Sequence, residues 1–265
     1  MNRMVATMTA DTLELTQRLI GLGMHCTAEH LDDIVARATK RRMSPVQLLE
    51  CVCELEEQER ARRSLERRHT RSKLGRFKSM ADFDWAWPKK LDREAVEHVL
   101  SLDFLEHGRN VVLVAAQGLG KTMVAKNIAH QAILEGHGVL FVTAADMLLD
   151  LTSQESARAL ERRLKHYARF GLLCIDEIGY LSYDDRNADL LFRVISMRYE
   201  KKPVVLTTNL AFSEWTTIFP GAACTVALID RVVHHADVVT IEGDSYRLKE
   251  AKARTQRPSR PKKKK

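Results

Sequence analysis

The chain has 265 residues, of which 45% are hydrophobic and 29% are charged, proportions that are ordinary for a protein folding around an apolar core in water. They argue against a disordered chain and a polytopic membrane protein, since the longest apolar run, Val111 to Ala116, is far shorter than the roughly 18 residues of a spanning helix. The N-terminus has no sustained apolar signal segment, so we expect a cytoplasmic protein of one or two domains.

The cysteines do not follow a pattern that is typical of disulfides or of zinc. Their number is odd and they are scattered over most of the chain, at Cys26, Cys51, Cys53, Cys174 and Cys224. Cys51 and Cys53 would point to different faces of a helix, and no spaced cysteine or histidine pair accompanies them. We interpret the cysteines as small apolar residues in a reducing compartment.

The net charge of +7 is distributed unevenly. Residues 251–265 carry eight positive charges and no negative one, which leaves about −1 for residues 1–250. A second basic segment, Arg60 to Lys78, holds nine lysines or arginines against the single acid Glu66. Such segments bind nucleic acid by neutralising phosphates and releasing counterions. The alternative is a solvated surface followed by a disordered solubilising tail.

Residues 1–75 are predicted to form a helical domain that contacts DNA or a partner. Apolar residues recur at helical spacing around Leu19 and Ile34. A further helix is predicted to start in the segment Ser44 to Gln47, which supplies an N-cap hydroxyl, a first-turn proline and a capping-box glutamine. Its continuation, Glu54 to Arg68, has few apolar positions, so we expect it to project into solvent or to bridge to a partner.

Residues 76–90 are predicted to form a connector that aromatic side chains hold onto the following domain. The segment is polar apart from Phe77, Phe83, Trp85 and Trp87.

From residue 91 to residue 250, short apolar strands alternate with helices such as Met123 to Glu135 and Asp189 to Tyr199. This pattern predicts an α/β domain with a parallel sheet between helices. The predicted strands are Val111 to Val114, Val139 to Val142, Leu172 to Ile175, Val204 to Thr207 and Val238 to Ile241.

The segment Ala115 to Thr122, AAQGLGKT, joins a predicted strand to a predicted helix. Glycines there let backbone N–H groups point at a polyphosphate, the helix N-terminus attracts anions, Lys121 reaches the outer phosphates and Thr122 can ligate magnesium. The predicted phosphate-binding residues are Gln117, Gly118, Leu119, Gly120, Lys121, Thr122 and Met123. Ala115 stands where such loops usually begin with glycine, which leaves the geometry and the affinity of the loop open.

Two carboxylates, Asp176 and Glu177, follow the predicted strand Leu172 to Ile175. At the end of a strand, Asp176 can hold the magnesium shell and Glu177 can orient and polarise an attacking water. The alternative is a solvated strand end, but paired acids suit hydrolysis better than binding alone.

Two further polar residues are candidates for the same chemistry. Asn209 follows Val204 to Thr207, and if that strand lay between the two preceding ones, the amide would approach the terminal phosphate and hold the attacking water. Arg231 can neutralise charge on the transferred phosphoryl group, in cis or from a neighbouring subunit. An ordinary loop cap and a surface ion pair are the respective alternatives.

Taken in order, the segments FDW, QGLGKT, LLCIDEIGYL, VVLTTNLAF, ALIDRVVHHA and GDSYRLKEA resemble the IstB-like helper ATPases of insertion-sequence transposition, relatives of the DnaC helicase loaders in the AAA+ class. The resemblance runs from roughly Met1 to Ala251. It implies an N-terminal helical domain and an AAA+ P-loop NTPase core with little or no lid. It also implies ATP and Mg²⁺ as cofactors, homo-oligomers on duplex DNA with ATP-bridged interfaces, and a partner transposase.

The resemblance assigns roles by position. They fall to the Walker A pair Lys121 and Thr122, the Walker B pair Asp176 and Glu177, the water-placing Asn209 and the Arg231 finger donated to a neighbour. Arg247, in the SYR motif, is a possible second arginine. Ala115 and Ala116 depart from the Gly-Pro usual in the family, which bears on the rate of hydrolysis more than on nucleotide binding.

Two basic segments are predicted to contact the DNA backbone largely without reading bases. The first is the predicted helix Ala157 to Phe170, and the second is Arg60 to Lys78. The candidate side chains are Arg158, Arg162, Arg163, Lys73 and Arg76. Solvated faces are the alternative in both segments.

We interpret the whole as an ATPase that selects or prepares target DNA, stimulates a transposase and disassembles on hydrolysis. One alternative is a DnaC-like helicase loader, which shares the core and differs in its partner. Another is a nucleotide-gated DNA scaffold with negligible hydrolysis, which Ala115 suggests. A small-molecule kinase is disfavoured, because nothing in the sequence resembles a substrate lid.

Overall fold

A computed structural model describes residues 10–180 and 182–255 of the chain. The chain divides into two compact units, Met1–Arg67 and Arg68–Lys265. Within the described residues, no helix combines the length and the apolar character that crossing a membrane requires.

The first unit is helical, as predicted. Its helices are α1 (Ala10–Gly21), α2 (His25–Glu29), α3 (Leu31–Arg41) and the first part of α4 (Pro45–Ser72). The start of α4 is a capping box, in which Gln47 N donates to Ser44 Oγ at 3.2 Å and Ser44 N donates to Gln47 Oε1 at 2.8 Å.

The charged part of α4 is not purely a solvated face, and the expectation for Glu54 to Arg68 needs correction at Glu56. This carboxylate is buried, and it accepts hydrogen bonds from both N and Oγ1 of Thr27, each at 2.9 Å. Burial raises the pKa of Glu56, but the hydrogen bonds from Thr27 outweigh that effect and hold the pKa below its ordinary value. Helical periodicity could not predict this contact, because Thr27 lies 29 residues before Glu56 in the chain.

The second unit is built on a six-stranded sheet in the order β1-β6-β2-β5-β4-β3. The strands are β1 (Lys90–Leu91), β2 (Asn110–Ala115), β3 (Val139–Thr143), β4 (Leu172–Asp176), β5 (Val204–Thr208) and β6 (Ala236–Glu242). Strands β2 to β6 are parallel, which confirms the predicted α/β class and all the predicted strands. Strand β1 was not predicted, and it pairs antiparallel with β6. Strand β5 lies between β2 and β4, the placement that the interpretation of Asn209 requires.

One large apolar cluster of this unit joins several helices to strands of the sheet, and residues in it such as Val112, Leu164 and Leu206 are almost fully buried. The helices are α5 (Arg93–Leu100), α6 (Asp103–Glu106), α7 (Lys121–Leu134), α8 (Ala144–Thr152), α9 (Ala157–Arg169), α10 (Asp185–Arg198), α11 (Ala222–Val233) and α12 (Tyr246–Thr255). Three short 3-10 helices occur at Met80–Asp82, Ile178–Tyr180 and Phe212–Thr217. Helix α12 includes the first residues of the predicted basic tail, and residues 256–265 of that tail lie outside the described residues.

Arg198, the last residue of α10, is a structural feature that the sequence did not indicate. Only 1% of it is exposed, and burial lowers its pKa to about 10. The guanidinium donates to the carbonyl oxygens of Tyr167, Ala168, Phe170, Gly171 and Pro203. These carbonyls border β4 and β5, so Arg198 fixes the segments that lead into both strands.

Candidate functional site

A cavity lies at the carboxyl end of the sheet, beside the loop that joins β2 to α7. It is lined by Gly118–Met123, by Glu177 and Tyr180 after β4, and by residues of two flanking segments, 78–88 and 246–250. All the predicted phosphate-binding residues line the cavity except Gln117, whose side chain is exposed. The loop and the two flanking segments therefore share one space.

The loop requires glycine at two places. Gly118 and Gly120 have φ of 77° and 95°, the left-handed region that L side chains rarely adopt. A Cβ on Gly118 would lie 2.2 Å from Ser245 Oγ, and one on Gly120 would lie 2.7 Å from Phe83 Cε2. The backbone conformation therefore disfavours a side chain at both positions, and at Gly120 the ring of Phe83 would also have to move.

Ala115, by contrast, lies where glycine is not required. It is the last residue of β2 and pairs with Ile241 in the sheet. Neither Ala115 nor Ala116 has a positive φ. A methyl group is compatible with these conformations, so the departure from the usual glycine introduces no backbone strain into the loop.

Lys121 is the charged centre of the loop. The residue is only 7% exposed, and its Nζ donates to the carbonyl oxygens of Ala115 and Ala116 at 2.5 and 2.9 Å. Burial lowers the pKa of Lys121, and the nearby Arg247 adds to this effect. The negative charges of Asp176 and Glu177 oppose this shift of the Lys121 pKa.

The predicted metal-binding pair is brought together. Thr122 Oγ1 donates to Asp176 Oδ1 at 3.2 Å, and Thr207 Oγ1 donates to the same carboxylate oxygen. Asp176 is buried. A hydroxyl and a carboxylate are hard oxygen donors, the ligand type that Mg²⁺ prefers.

Glu177 and Asn209 lie on adjacent loops. Glu177 lines the cavity in a left-handed conformation with φ of 66°, and its N–H donates to Thr207 Oγ1 at 2.9 Å. Asn209 lies against Gly179, where an added Cβ would be 2.1 Å from Asn209 Oδ1. That oxygen is buried and has no hydrogen-bond partner among the described residues. Glu177 therefore lines the cavity, whereas Asn209 does not and lies against the loop that follows β4.

The structure separates the two candidate arginines. Arg247, in the first turn of α12, lines the cavity. Arg231, in α11, does not: its guanidinium lies over the rings of Phe192 and Tyr199, at 4.4 and 5.9 Å, and donates to Ser196 Oγ.

The flanking segments supply cavity residues that sequence reasoning missed. Phe83 and Trp87 were expected only as anchors, and Tyr246 was not singled out, yet all three line the cavity. Trp87 Nε1 donates to Asp244 O at 2.7 Å, and Lys249 Nζ lies 4.2 Å from the Trp87 ring centre and 2.9 Å from Asp84 Oδ2. The hydrogen bond from Lys249 lowers the pKa of Asp84. The dense aromatic residues of the connector were the one available signal.

The residues predicted to contact DNA differ in solvent exposure and in ion pairing. Arg158 and Arg162 are exposed on α9, and Lys73 and Arg76 are exposed after α4. Arg163 is half-buried, and it is ion-paired with Asp150 of α8.

Comparisons with known proteins agree with this geometry. Residues 17–254 match the family model described as IstB-like ATP binding protein. An insertion sequence IS232 putative ATP-binding protein from Bacillus thuringiensis subsp. berliner is 36% identical over 240 residues, which cover 89% of this chain and 95% of that protein. An insertion sequence IS21 putative ATP-binding protein from Pseudomonas aeruginosa is 32% identical over 237 residues, 89% of each chain.

Two solved structures share the fold. The crystal structure of DnaI has a TM-score of 0.53 at 18% identity and covers 65% of this chain and 91% of its own. The replication initiator DnaA bound to AMPPCP and single-stranded DNA has a TM-score of 0.50 at 18% identity and covers 65% of this chain and 55% of its own. Likeness at this level of identity concerns the fold alone.

Proposed function

The chain belongs to the family of IstB-like ATP binding proteins of insertion sequences, and we propose that it hydrolyses ATP in the cavity and acts as a DNA-binding helper of an insertion-sequence transposase. One observation carries the first part of the proposal. The buried Lys121, the Thr122–Asp176 pair and the exposed Glu177 meet at one cavity beside the start of α7. This set suits phosphoryl transfer to water.

In this proposal the phosphates of ATP occupy the loop Gly118–Met123, where the N-terminus of α7 attracts anions. Lys121 Nζ then exchanges a loop carbonyl for a phosphate oxygen. The rings of Phe83, Trp87 and Tyr246 line the same cavity and contact the nucleoside. The nucleotide is thereby held at its charged end by the loop and at its apolar end by the flanking segments.

Thr122 and Asp176 fit Mg²⁺, because their oxygen atoms lie 3.2 Å apart and both are hard donors. When bound, the ion supplies charge neutralisation to the phosphates. Thr207 contributes by orienting the Asp176 carboxylate through its hydroxyl.

Glu177 acts as the general base in the proposed reaction. The oxygen of a water molecule attacks the terminal phosphorus, the bond from that phosphorus to the leaving ADP oxygen breaks, and the proton of the water passes to the Glu177 carboxylate. Asn209 does not line the cavity, and in this proposal its side chain turns so that Oδ1, a buried acceptor without a partner among the described residues, accepts a hydrogen bond from the same water. The bond from Glu177 N to Thr207 Oγ1 holds the backbone of the base in position.

Arg231 acts on a neighbouring subunit. It does not line the cavity of its own chain, so a role in hydrolysis requires a second copy whose cavity faces it. Such an arrangement makes ATP part of the interface between subunits, and assembly then depends on the nucleotide. Hydrolysis removes those contacts and releases the assembly.

Duplex DNA is the proposed template for this assembly. Arg158 and Arg162, exposed on α9, and Lys73 and Arg76 offer side chains for phosphate contacts that do not read bases. Arg163 contributes less, because its guanidinium is occupied by Asp150. The proposed protein partner is a transposase, which the family membership supports, and the proposed consequence is selection of target DNA.

This function is tested by measuring steady-state ATP hydrolysis with and without duplex DNA. Light scattering follows assembly in the same samples. We expect turnover that DNA stimulates and that Lys121→Ala abolishes. ATP-dependent assembly on DNA without turnover would overturn the proposed hydrolysis and favour a nucleotide-gated scaffold. Strand transfer by an insertion-sequence transposase, measured with and without this chain, tests the helper role, which an unchanged rate would contradict.

A further inference from the structure

A group of metal-ligating side chains lies outside the nucleotide cavity, at the corner where α10 and α11 end. Glu200 follows α10 by two residues, and His234 and His235 directly follow α11. Their potential ligand atoms all lie within 4.8 Å of one another, and all three side chains are exposed. Among the residues that the structure describes, they are the one group of three or more His, Cys, Asp or Glu side chains this close together.

The chemistry of this set favours a transition metal. Imidazole nitrogens suit Zn²⁺ and the neighbouring first-row ions, whereas Mg²⁺ and Ca²⁺ prefer oxygen ligands only. Two histidines and one carboxylate supply three ligands and leave a fourth position for water.

The spacing permits one ion to be shared. Bonds of about 2.1 Å to a tetrahedral ion place ligand atoms roughly 3.4 Å apart. His235 Nε2 and Glu200 Oε1 are 4.0 Å apart, and the ring centres of His234 and His235 are 3.9 Å apart. Small rotations of exposed side chains bring the three ligand atoms to the required separation.

A hydrogen bond already orients one of the proposed ligands. Tyr199 Oη and His234 Nδ1 are hydrogen-bonded at 2.9 Å. This contact occupies one ring nitrogen and leaves Nε2 as the nitrogen available to an ion, and outer-shell partners of metal-binding histidines fix the ring in this way.

We propose that Glu200, His234 and His235 bind one divalent transition-metal ion, with Zn²⁺ as the preferred ion, and that Tyr199 positions His234 for it. The ion ties the residue after α10 to the end of α11. This site lies outside the cavity, and its test requires no turnover.

Calorimetric titration of Zn²⁺ into the full chain tests the proposal. Any polyhistidine tag is removed beforehand, and bound metal is stripped with EDTA. Excess Mg²⁺ is present, and nucleotide is left out because ATP chelates zinc. We expect one Zn²⁺ per chain and a higher melting temperature with Zn²⁺. Replacing both histidines, His234→Ala with His235→Ala, should weaken binding by more than about tenfold, and Tyr199→Phe should weaken it by about tenfold.

His107→Ala is the matched control, because His107 is an exposed histidine whose Nδ1 contacts only the Asp103 carbonyl of its own turn among the described residues. It should bind Zn²⁺ as the parent does. Visible absorption of the Co²⁺ form reports the coordination directly. Absence of stoichiometric Zn²⁺ binding, or binding that the double histidine variant retains, would overturn the proposal. The melting temperature of each metal-free variant establishes that it is folded.

Discussion

The two walls of the proposed nucleotide cavity are built by different means. The phosphate wall, Gly118–Met123 with Glu177, consists of local turns that follow two parallel strands. The connector wall, residues 78–88 with 246–250, is held together by contacts such as Asp84 with Lys249, which are 165 positions apart in the chain. The first wall presents backbone groups, an ammonium and a carboxylate, and the second presents mostly aromatic rings. We therefore expect the phosphate wall to control hydrolysis and the connector wall to control affinity.

Glu177→Gln should separate these two functions most strongly. Removing the general base should lower the rate of ATP hydrolysis by at least about 100-fold. The affinity for ATP should change little, because the lysine and the loop remain. Turnover and ATP dissociation constants, measured on the same samples, check this.

The matched control for that variant is Glu250→Gln, which changes a carboxylate of the connector wall that pairs with Lys78 at 3.4 Å. It should leave turnover almost unaltered. Equal losses of hydrolysis in both variants would mean that total charge in the cavity matters, and that Glu177 has no special position.

Gly120→Ala tests the place where the two walls touch. The new Cβ would meet Phe83 at 2.7 Å on a backbone with φ of 95°. We expect the free energy of ATP binding to become less favourable by about 2 kcal/mol, which lowers the affinity for ATP roughly thirtyfold, because the loop must shift to relieve the clash and the strain.

Gly136→Ala is the control for a substitution at a left-handed glycine outside the cavity, after the end of α7. Gly136 has nearly the same φ, 98°, but no atom lies within 4 Å of its added Cβ. Its effect on ATP affinity should be negligible. Combining Gly120→Ala with Phe83→Ala should recover part of the lost affinity, and no recovery would show that Phe83 does not press on the loop.

The same contrast explains which features the sequence predicted. Lys121, Thr122 and Glu177 follow apolar strands, so periodicity and local motifs place them correctly at the carboxyl end of the sheet. Tyr246 and the ion pair of Asp84 with Lys249 depend on tertiary packing that no local pattern encodes. The short strand β1 and the guanidinium of Arg198 with its carbonyl partners were missed for the same reason.

Trp87→Leu probes the connector wall alone. Loss of the ring removes a surface of the cavity and the cation–π contact with Lys249. We expect the KM for ATP to rise about tenfold while kcat stays within about twofold, since an interaction made equally in the ground state and the transition state affects binding only.

Trp85→Leu is the matched control, because Trp85 lies on the same connector but packs against Phe83 and Arg93 and does not line the cavity. Its effect on KM should be much smaller. If kcat of Trp87→Leu fell by a larger factor than KM rose, the connector wall would affect hydrolysis as well as ATP affinity, contrary to our expectation.

The smallest expected effect concerns the charge of Lys121. Burial holds the pKa of Lys121 in the free protein below its ordinary value of 10.5, and phosphate groups beside the ammonium would raise that pKa again. ATP binding should therefore take up a proton at alkaline pH. Affinity should fall as the pH rises through the lowered pKa, by at most about tenfold per pH unit, because one proton is linked to binding.

Calorimetry of ATP binding in two buffers of different ionisation enthalpy measures this proton uptake directly. Tyr180, also in the cavity, has its pKa raised by burial, so it keeps its proton over the same range and does not obscure the result. Lys121→Arg is the control, since a guanidinium stays charged throughout and should abolish the uptake. Proton release on binding by the parent chain, or uptake that persists in Lys121→Arg, would show that the ammonium group of the phosphate wall is not the one that responds to the nucleotide.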